Sequence, residues 1–303
     1  MQRTRASGAE VLLTGASGFL GKVVLYELLR RRLELGIERV HVLLRPRRGR
    51  GAAERLREEL LPSPCFSTLA PGWQERVRAL DGDCEEPGAG VAPAAWAALA
   101  PALTHVVHCA ASVEFHLPVA QAAAANAGSA LHVLELARGC PRLAAFVDVS
   151  TAYVMPHPGA ATPVEERLAP LPFDAETLFA AIRAGRYDAP AVEAALLAET
   201  GHPNTYTLTK SIAEHLLARR RGAVPLLLLR PSIIAASHRR PFPGWIDSAA
   251  AFALFAVGIG SGRMRVVLAR PEARLDLVPV DVVAERVVDL PRGLGIGALE
   301  EAS

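Results

Sequence analysis

The chain has 303 residues, 51% of them apolar and 21% charged, with a formal net charge of +2. That length suits one large α/β domain with an attached lobe, and no acidic or basic block points to nucleic acid as a partner. Cys65, Cys84, Cys109 and Cys140 form no CxxC pair and have no histidine at metal-ligand spacing, so they read as reduced thiols of a cytoplasmic protein. The N-terminal MQRTRASGAE lacks the apolar core of a secretory signal. The longest apolar stretch, Ala249 to Ile259, is shorter than the ~20 residues a membrane-spanning helix needs, so no transmembrane segment is expected.

The first element is also the most informative. Glu10 to Gly21 reads EVLLTGASGFLG, a short apolar strand (Val11, Leu12, Leu13) that ends in a TGxxGxxG turn. Gly15 allows the sharp turn, Gly18 lets a pyrophosphate approach the backbone, and Gly21 lets the following helix pack close to the strand. The amides at the helix start stay free for anionic oxygens. Thr14, Gly15, Ser17, Gly18, Phe19, Leu20 and Gly21 are the expected cofactor loop. Glycine triplets also occur in ordinary loops. The amphipathic helix that follows (Val23, Val24, Leu25, Leu28, Leu29) and the strand beyond it favour a dinucleotide site.

The second strand, Arg39 to Leu44, runs into Arg45-Pro46-Arg47-Arg48. Folds that prefer NAD carry an acid at this tip, to bind the ribose 2′-hydroxyl. An arginine suits a 2′-phosphate instead, by charge and by its fork of donors. NADPH is therefore the expected cofactor, with Arg45 the leading contact and Arg55 a second. The bland alternative is a solvated basic loop. Ala52 to Leu61 reads as a short helix, and Val77 to Leu80 as a third strand ending in Asp81-Gly82-Asp83. Asp83 either binds the adenine amino group or caps a turn.

Thr104 to His108 is the fourth strand, followed by the small residues Cys109, Ala110, Ala111 and Ser112. Ala110 and Ala111 leave room for a cofactor against the backbone. Asn126 lies in an alanine-rich helix, where bonding a neighbouring carbonyl is the first expectation. The fifth strand, Ala145 to Val149, leads into Ser150-Thr151-Ala152-Tyr153. Residues 155–204 read as an insertion that leaves the sheet, with helices near Ala175–Ala184 and Ala191–Glu199. A helix then opens at Asn204-Thr205-Tyr206 and runs through Lys210 to Leu217. After a sixth strand, Leu226 to Leu229, come a small apolar helix, Ala249 to Val257, and two possible strands, Met264–Leu268 and Leu275–Val280.

Tyr206 and Lys210 are four apart on one helix and so share a face. A nearby ammonium favours the phenolate and lowers the tyrosine pKa, which prepares it to give a proton to a developing alkoxide. A hydroxyl at the end of the fifth strand, Thr151 or Ser150, completes the site by holding the carbonyl oxygen. YxxxK alone is common; its place after a TGxxGxxG start and a hydroxyl-tipped fifth strand gives it weight.

TGASGFLG, VLLRPRRGR, VVHCAASVEF, FVDVSTAYV, PNTYTLTK, RPSII, PGWID and LDLVPVD, in this order, resemble the reductase domain of fatty acyl-CoA reductases, extended short-chain dehydrogenase/reductases. The resemblance spans Glu10 to Asp281. It implies a Rossmann-type doubly wound parallel sheet with a smaller substrate-binding lobe. On that expectation the chain is one extended reductase domain: residues 8–154 and 205–235 form the dinucleotide-binding core, and 155–204 with 236–303 form the lobe. It also implies NADPH-dependent reduction of an acyl thioester to the aldehyde, and onward to the alcohol in many members. Thr151 (with Ser150), Tyr206 and Lys210 would be catalytic, and Gly15, Gly18, Gly21 and Arg45 would bind cofactor.

The expected partner is an acyl-CoA. The related thioester reductase domains of carboxylic acid reductases, which act on carrier-bound acyl groups, are the runner-up. Alcohol-forming members continue past LDLVPVD into a helical domain, so a missing C-terminal domain is expected. His116 stands where the family often carries a polar or acidic residue, and no role is attached to it. Nucleotide-sugar epimerases or dehydratases are a further class, disfavoured because Ala152-Tyr153 follow Thr151 where dehydratases tend to carry acids. Retention of both Tyr206 and Lys210 argues against a regulator that has lost catalysis.

Overall fold

The computed structural model describes residues 8–155, 165–248, 252–268, 270 and 275–293. Six short, mostly apolar segments become strands: β1 (Ala9–Thr14), β2 (Ile37–Leu44), β3 (Val77–Asp81), β4 (Leu103–His108), β5 (Ala145–Val149) and β6 (Leu226–Leu229). All pair in parallel, in the order β3-β2-β1-β4-β5-β6. Near-continuous apolar strands are what a parallel sheet covered on both faces requires. The order reverses between β1 and β4, and that reversal opens a crevice at the carboxyl ends of the strands. This is the Rossmann-type doubly wound sheet that the resemblance implied.

The helices are α1 (Phe19–Arg30), α2 (Arg32–Leu35), α3 (Ala52–Arg55), α4 (Pro93–Leu99), α5 (Val119–Ala123), α6 (Ser129–Arg138), α7 (Ala175–Arg183), α8 (Pro190–Thr200), α9 (Thr205–Arg220), α10 (Phe252–Gly260) and α11 (Val280–Gly293). On one face α1 packs against α11, burying Val24 and Leu28 in one cluster with Ala284 and Val287. The opposite face is covered by α6 and α9, with Phe146, Leu134 and Leu217 in its core. A π-helical turn, Ala124–Gly128, joins α5 to α6. The insertion helices α7 and α8 place Leu178, Ile182 and Leu196 on Leu208 and Ile212 of α9. They extend the outer helical layer.

Three expectations change here. Met264–Leu268 is not a strand; it is irregular chain with Val266 and Leu268 fully in solvent. Of Leu275–Val280, only β8 (Leu277–Pro279) is extended, and Val280 opens α11. The partner of β8 is β7 (Ile233–Ala235), a parallel strand that the sequence reading did not foresee. α11 was not foreseen either. Its Asp281 accepts the amides of His238 and Arg239 at 2.8 Å and of Arg240 at 3.1 Å. Burial pushes that carboxyl up, but the three amides hold it below its ordinary range. One acid thus pins the loop after β7 to the start of α11.

The apolar helix near the C-terminus is α10, and residues 249–251 lie outside the described residues. It is not an ordinary core helix: Leu254, Phe255, Val257 and Ile259 are exposed. Trp245 instead turns inward and stacks on Phe19, with ring centroids 5.4 Å apart. Among the described residues no helix is long and apolar enough to cross a membrane.

Candidate active site

The glycine turn is built as its sequence demands. Gly15 adopts φ +70°, and a β-carbon on it would meet the Cys109 and Ala110 backbone at 2.7 Å. That conformation and that contact both require glycine. The N-cap of α1 is Gly18, with no side-chain cap and no acid in the first turn. The amide end of α1 is therefore left for an anion. Phe19, Leu20 and Gly21 form that first turn.

A cavity of about 790 Å³ runs from this turn along the carboxyl edge of the sheet. Its lining includes Gly15, Ser17, Gly18, Arg45, Arg55, Asp83, Ala110 and Ala111, all expected from the sequence. The small-residue cradle and the uncapped helix end fit a dinucleotide.

The basic residues differ in what they are free to do. The Arg45 side chain is more than half exposed and only loosely paired, 3.7 Å from Asp83 and 3.5 Å from Glu85. The Arg55 guanidinium is buried and committed: it donates to the Arg45 carbonyl at 2.7 Å and pairs with Glu59 at 2.8 Å. Arg55 therefore shapes the loop that presents Arg45. Asp83 accepts the Glu85 amide at 3.1 Å, so it caps a turn while also lining the cavity. Arg47 and Arg183 line the cavity too and were not on the expected list. Arg183 comes from the insertion helix α7; no sequence signal brings it here.

The expected catalytic residues lie outside this lining. The Asn204 side chain accepts the Thr207 amide at 2.9 Å, which fixes where α9 starts and puts Tyr206 in its first turn. Lys210 follows one turn later, only 1% exposed. Thr151 and Ser150 sit at the end of β5, both buried, and α9 packs against the turn Ala152–Val154 that follows. The Thr151 hydroxyl accepts the Tyr153 amide at 3.3 Å, whereas the Ser150 hydroxyl has no partner. The Tyr206 ring lies 5.7 Å from that of Phe115.

Asn126 joins the cavity to α9. Its carbonyl accepts the Ser112 amide at 2.9 Å and its amide donates to Thr209 at 3.0 Å. The role is structural, as expected, but the partners are an amide and a hydroxyl, not a carbonyl. The residue the sequence reading missed is Asp148, with Oδ2 3.9 Å from the Lys210 Nζ and no exposure. Its signal was a lone acid in the strand AFVDV, where a buried charge needs a partner. No group of histidine, cysteine or acid side chains that could hold a metal occurs among the described residues.

A male sterility protein family model matches residues 13–287. The chain belongs to that family. It is 33% identical to fatty acyl-CoA reductase 1 of Gallus gallus over 279 residues, which is 91% of this chain and 53% of the relative. It is 29% identical to fatty acyl-CoA reductase 2 of Mus musculus, over 93% of this chain and 54% of that one. The chain thus spans about half the length of these relatives. Among solved structures, the terminal R domain of the myxalamid PKS-NRPS biosynthetic pathway superposes with a TM-score of 0.70 at 26% identity, covering 95% of this chain and 63% of that one.

Proposed function

We propose that this chain is the NADPH-dependent reductase unit of a fatty acyl thioester reductase, converting an acyl-CoA to the aldehyde and onward to the alcohol. The observation that supports the reading is that α9, which bears Tyr206 and Lys210, packs against the turn after Thr151 on the sheet whose carboxyl edge also carries the glycine-cradled cavity. The preference for NADPH rests on Arg45, exposed at the β2 tip and held only by loose ion pairs that a 2′-phosphate can displace.

NADPH, when bound, supplies a hydride to the acyl carbon. The hydroxyls of Thr151 and Tyr206 donate to the carbonyl oxygen and stabilise the negative charge that develops there. Tyr206 gives that oxygen its proton, assisted by the ammonium of Lys210. The hemithioacetal formed expels the thiol and leaves an aldehyde; a second reduction with the same proton donor gives the alcohol. We place the acyl chain against α10, whose Leu254, Phe255, Val257 and Ile259 are exposed.

Carrier-bound thioesters are the second reading, supported by the likeness to the myxalamid R domain. The test is oxidation of NADPH with a long-chain acyl-CoA, with the same acyl group on a carrier domain, and with the free aldehyde. Turnover on acyl-CoA that Tyr206→Phe abolishes is expected. Turnover on the carrier form alone selects the second reading, and turnover on the aldehyde alone removes thioesters from the assignment.

A further inference from the structure

Strand register decides which side chains share a face. Thr14 of β1 is in register with His108 of β4, and His108 with Asp148 of β5. In parallel strands such residues point to the same side of the sheet. The three polar side chains therefore form a row across the sheet, each with no exposure. Lys210 of α9 closes the row at Asp148, 3.9 Å away.

Hydrogen bonding links the first two members of this row. The Thr14 hydroxyl accepts the Ala110 amide at 3.3 Å and shares a hydrogen bond with His108 Nδ1, 2.8 Å away. Nε2 and both Asp148 oxygens have no hydrogen-bond partner. Burial, with the nearby Lys210 charge, holds His108 down at about 3, so the imidazole is neutral. Burial pushes the Asp148 carboxyl up, and Lys210 opposes the rise. Just past β4, the Cys109 thiol is pushed up to about 12 by burial and then by Asp148; His105 of β4 is lowered by burial. On α9 itself, Tyr206 lies one turn before Lys210, and Glu214 one turn after is bound to Arg230. Asp148 is thus the acid that faces Lys210, 3.9 Å away. Opposite charges in a dry site are tolerated as a pair, whereas breaking such a pair leaves a buried charge uncompensated.

We propose that Asp148 is a positioning residue for Lys210: from β5 it holds the buried ammonium charged, at the point where α9 meets the sheet edge. The proposal rests on the reductase reading of Lys210 and deepens it.

The test uses the fact that Lys22 and Lys210 are the only lysines in the chain. Protein labelled with ¹³C,¹⁵N-lysine shows two side-chain signals by NMR, and Lys22→Arg identifies them. In Asp148→Asn the Lys210 signal is expected to titrate at least one pH unit lower, a tenfold change in proton affinity, with Lys22 unmoved. The alkaline limb of the kcat profile moves with it. A Lys210 signal with the wild-type midpoint overturns the proposal.

The NMR readout needs no turnover. A shifted lysine in a protein that reduces no thioester therefore rejects the reductase reading and keeps the pair. If Asp148→Asn does not fold, thermal melting of Lys210→Met and of Asp148→Asn/Lys210→Met decides. The single variant is expected to melt below wild type and the double variant above the single; a double variant that melts at or below the single overturns the pairing.

Discussion

Gly21 lies against Gly15 so closely that a β-carbon on Gly21 would fall 2.1 Å from the Gly15 carbonyl oxygen. The obstructing atom is backbone, so no side chain can swing aside. Gly21→Ala must push α1 off the turn it caps. Overpacking of this kind costs about 1–3 kcal/mol, and the displaced helix end also loses its anion site. Melting temperature and NADPH affinity should fall together. Gly18→Ala, whose β-carbon would lie 3.2 Å from the same oxygen, should be milder. Wild-type cofactor affinity in Gly21→Ala would remove the turn from the binding site.

Arg45→Ala tests the cofactor preference. A hydrogen bond to a charged group contributes about 1.5–3 kcal/mol, roughly ten- to a hundredfold in affinity. NADPH should weaken by that factor in a fluorescence titration, while NADH is left nearly unchanged. Equal losses for both cofactors would assign Arg45 to folding, and no loss would move the phosphate to Arg47 or Arg183.

Asn126→Leu removes both bonds that tie Ser112 to Thr209, leaving the part-buried Ser112 amide without its acceptor, while the Thr209 hydroxyl keeps its bonds to the Thr205 and Tyr206 carbonyls. Such unmet groups cost about 1–3 kcal/mol. Denaturant melts should show a loss in that range. Because the bonds link the cavity to α9, NADPH affinity should also fall more than in an equally destabilised core variant such as Ile182→Val. Equal affinity in the two variants would confine Asn126 to stability.

His202 carries a pH dependence. It is buried, neither ring nitrogen has a partner, and burial holds it down at about 4. Below the ordinary histidine value near 6.5, the unfolded chain binds a proton that the folded chain refuses. Stability therefore falls as pH drops from about 6.5 to about 4, with a slope approaching 1.4 kcal/mol per pH unit from this one residue. His202→Gln should flatten that slope in chemical denaturation across the window. Parallel slopes for wild type and variant would show that His202 takes up its proton in the folded state as readily as in the unfolded one.

The six-stranded sheet and its glycine turn were legible because their signals are local. A buried parallel strand reads as an apolar run, and TGxxGxxG is contiguous. Tyr206 and Lys210 were legible because four residues make one helical turn, and Thr151 because it ends a recognisable strand. β7 and β8 were not: each is three residues long, and each exists only by pairing with a segment more than forty positions away. α11 was not foreseen, because its start is set by Asp281 bonding the loop after β7.

By itself the sequence determined the layered α/β architecture, the position of the glycine turn and the placing of Tyr206 and Lys210 one helical turn apart, since each follows from periodicity or glycine sterics within a few positions. Only the tertiary structure decided that Arg55 serves the loop while Arg45 stays available, that Arg183 of the insertion reaches the cavity, and that Asp148 faces Lys210. Those outcomes depend on register between strands and on burial, which bring together groups up to 138 positions apart (Arg45 and Arg183). An unpaired charge in a dry interior is too costly to leave alone, and for Lys210 the fold brings Asp148 from a strand 62 positions earlier, which no local pattern names.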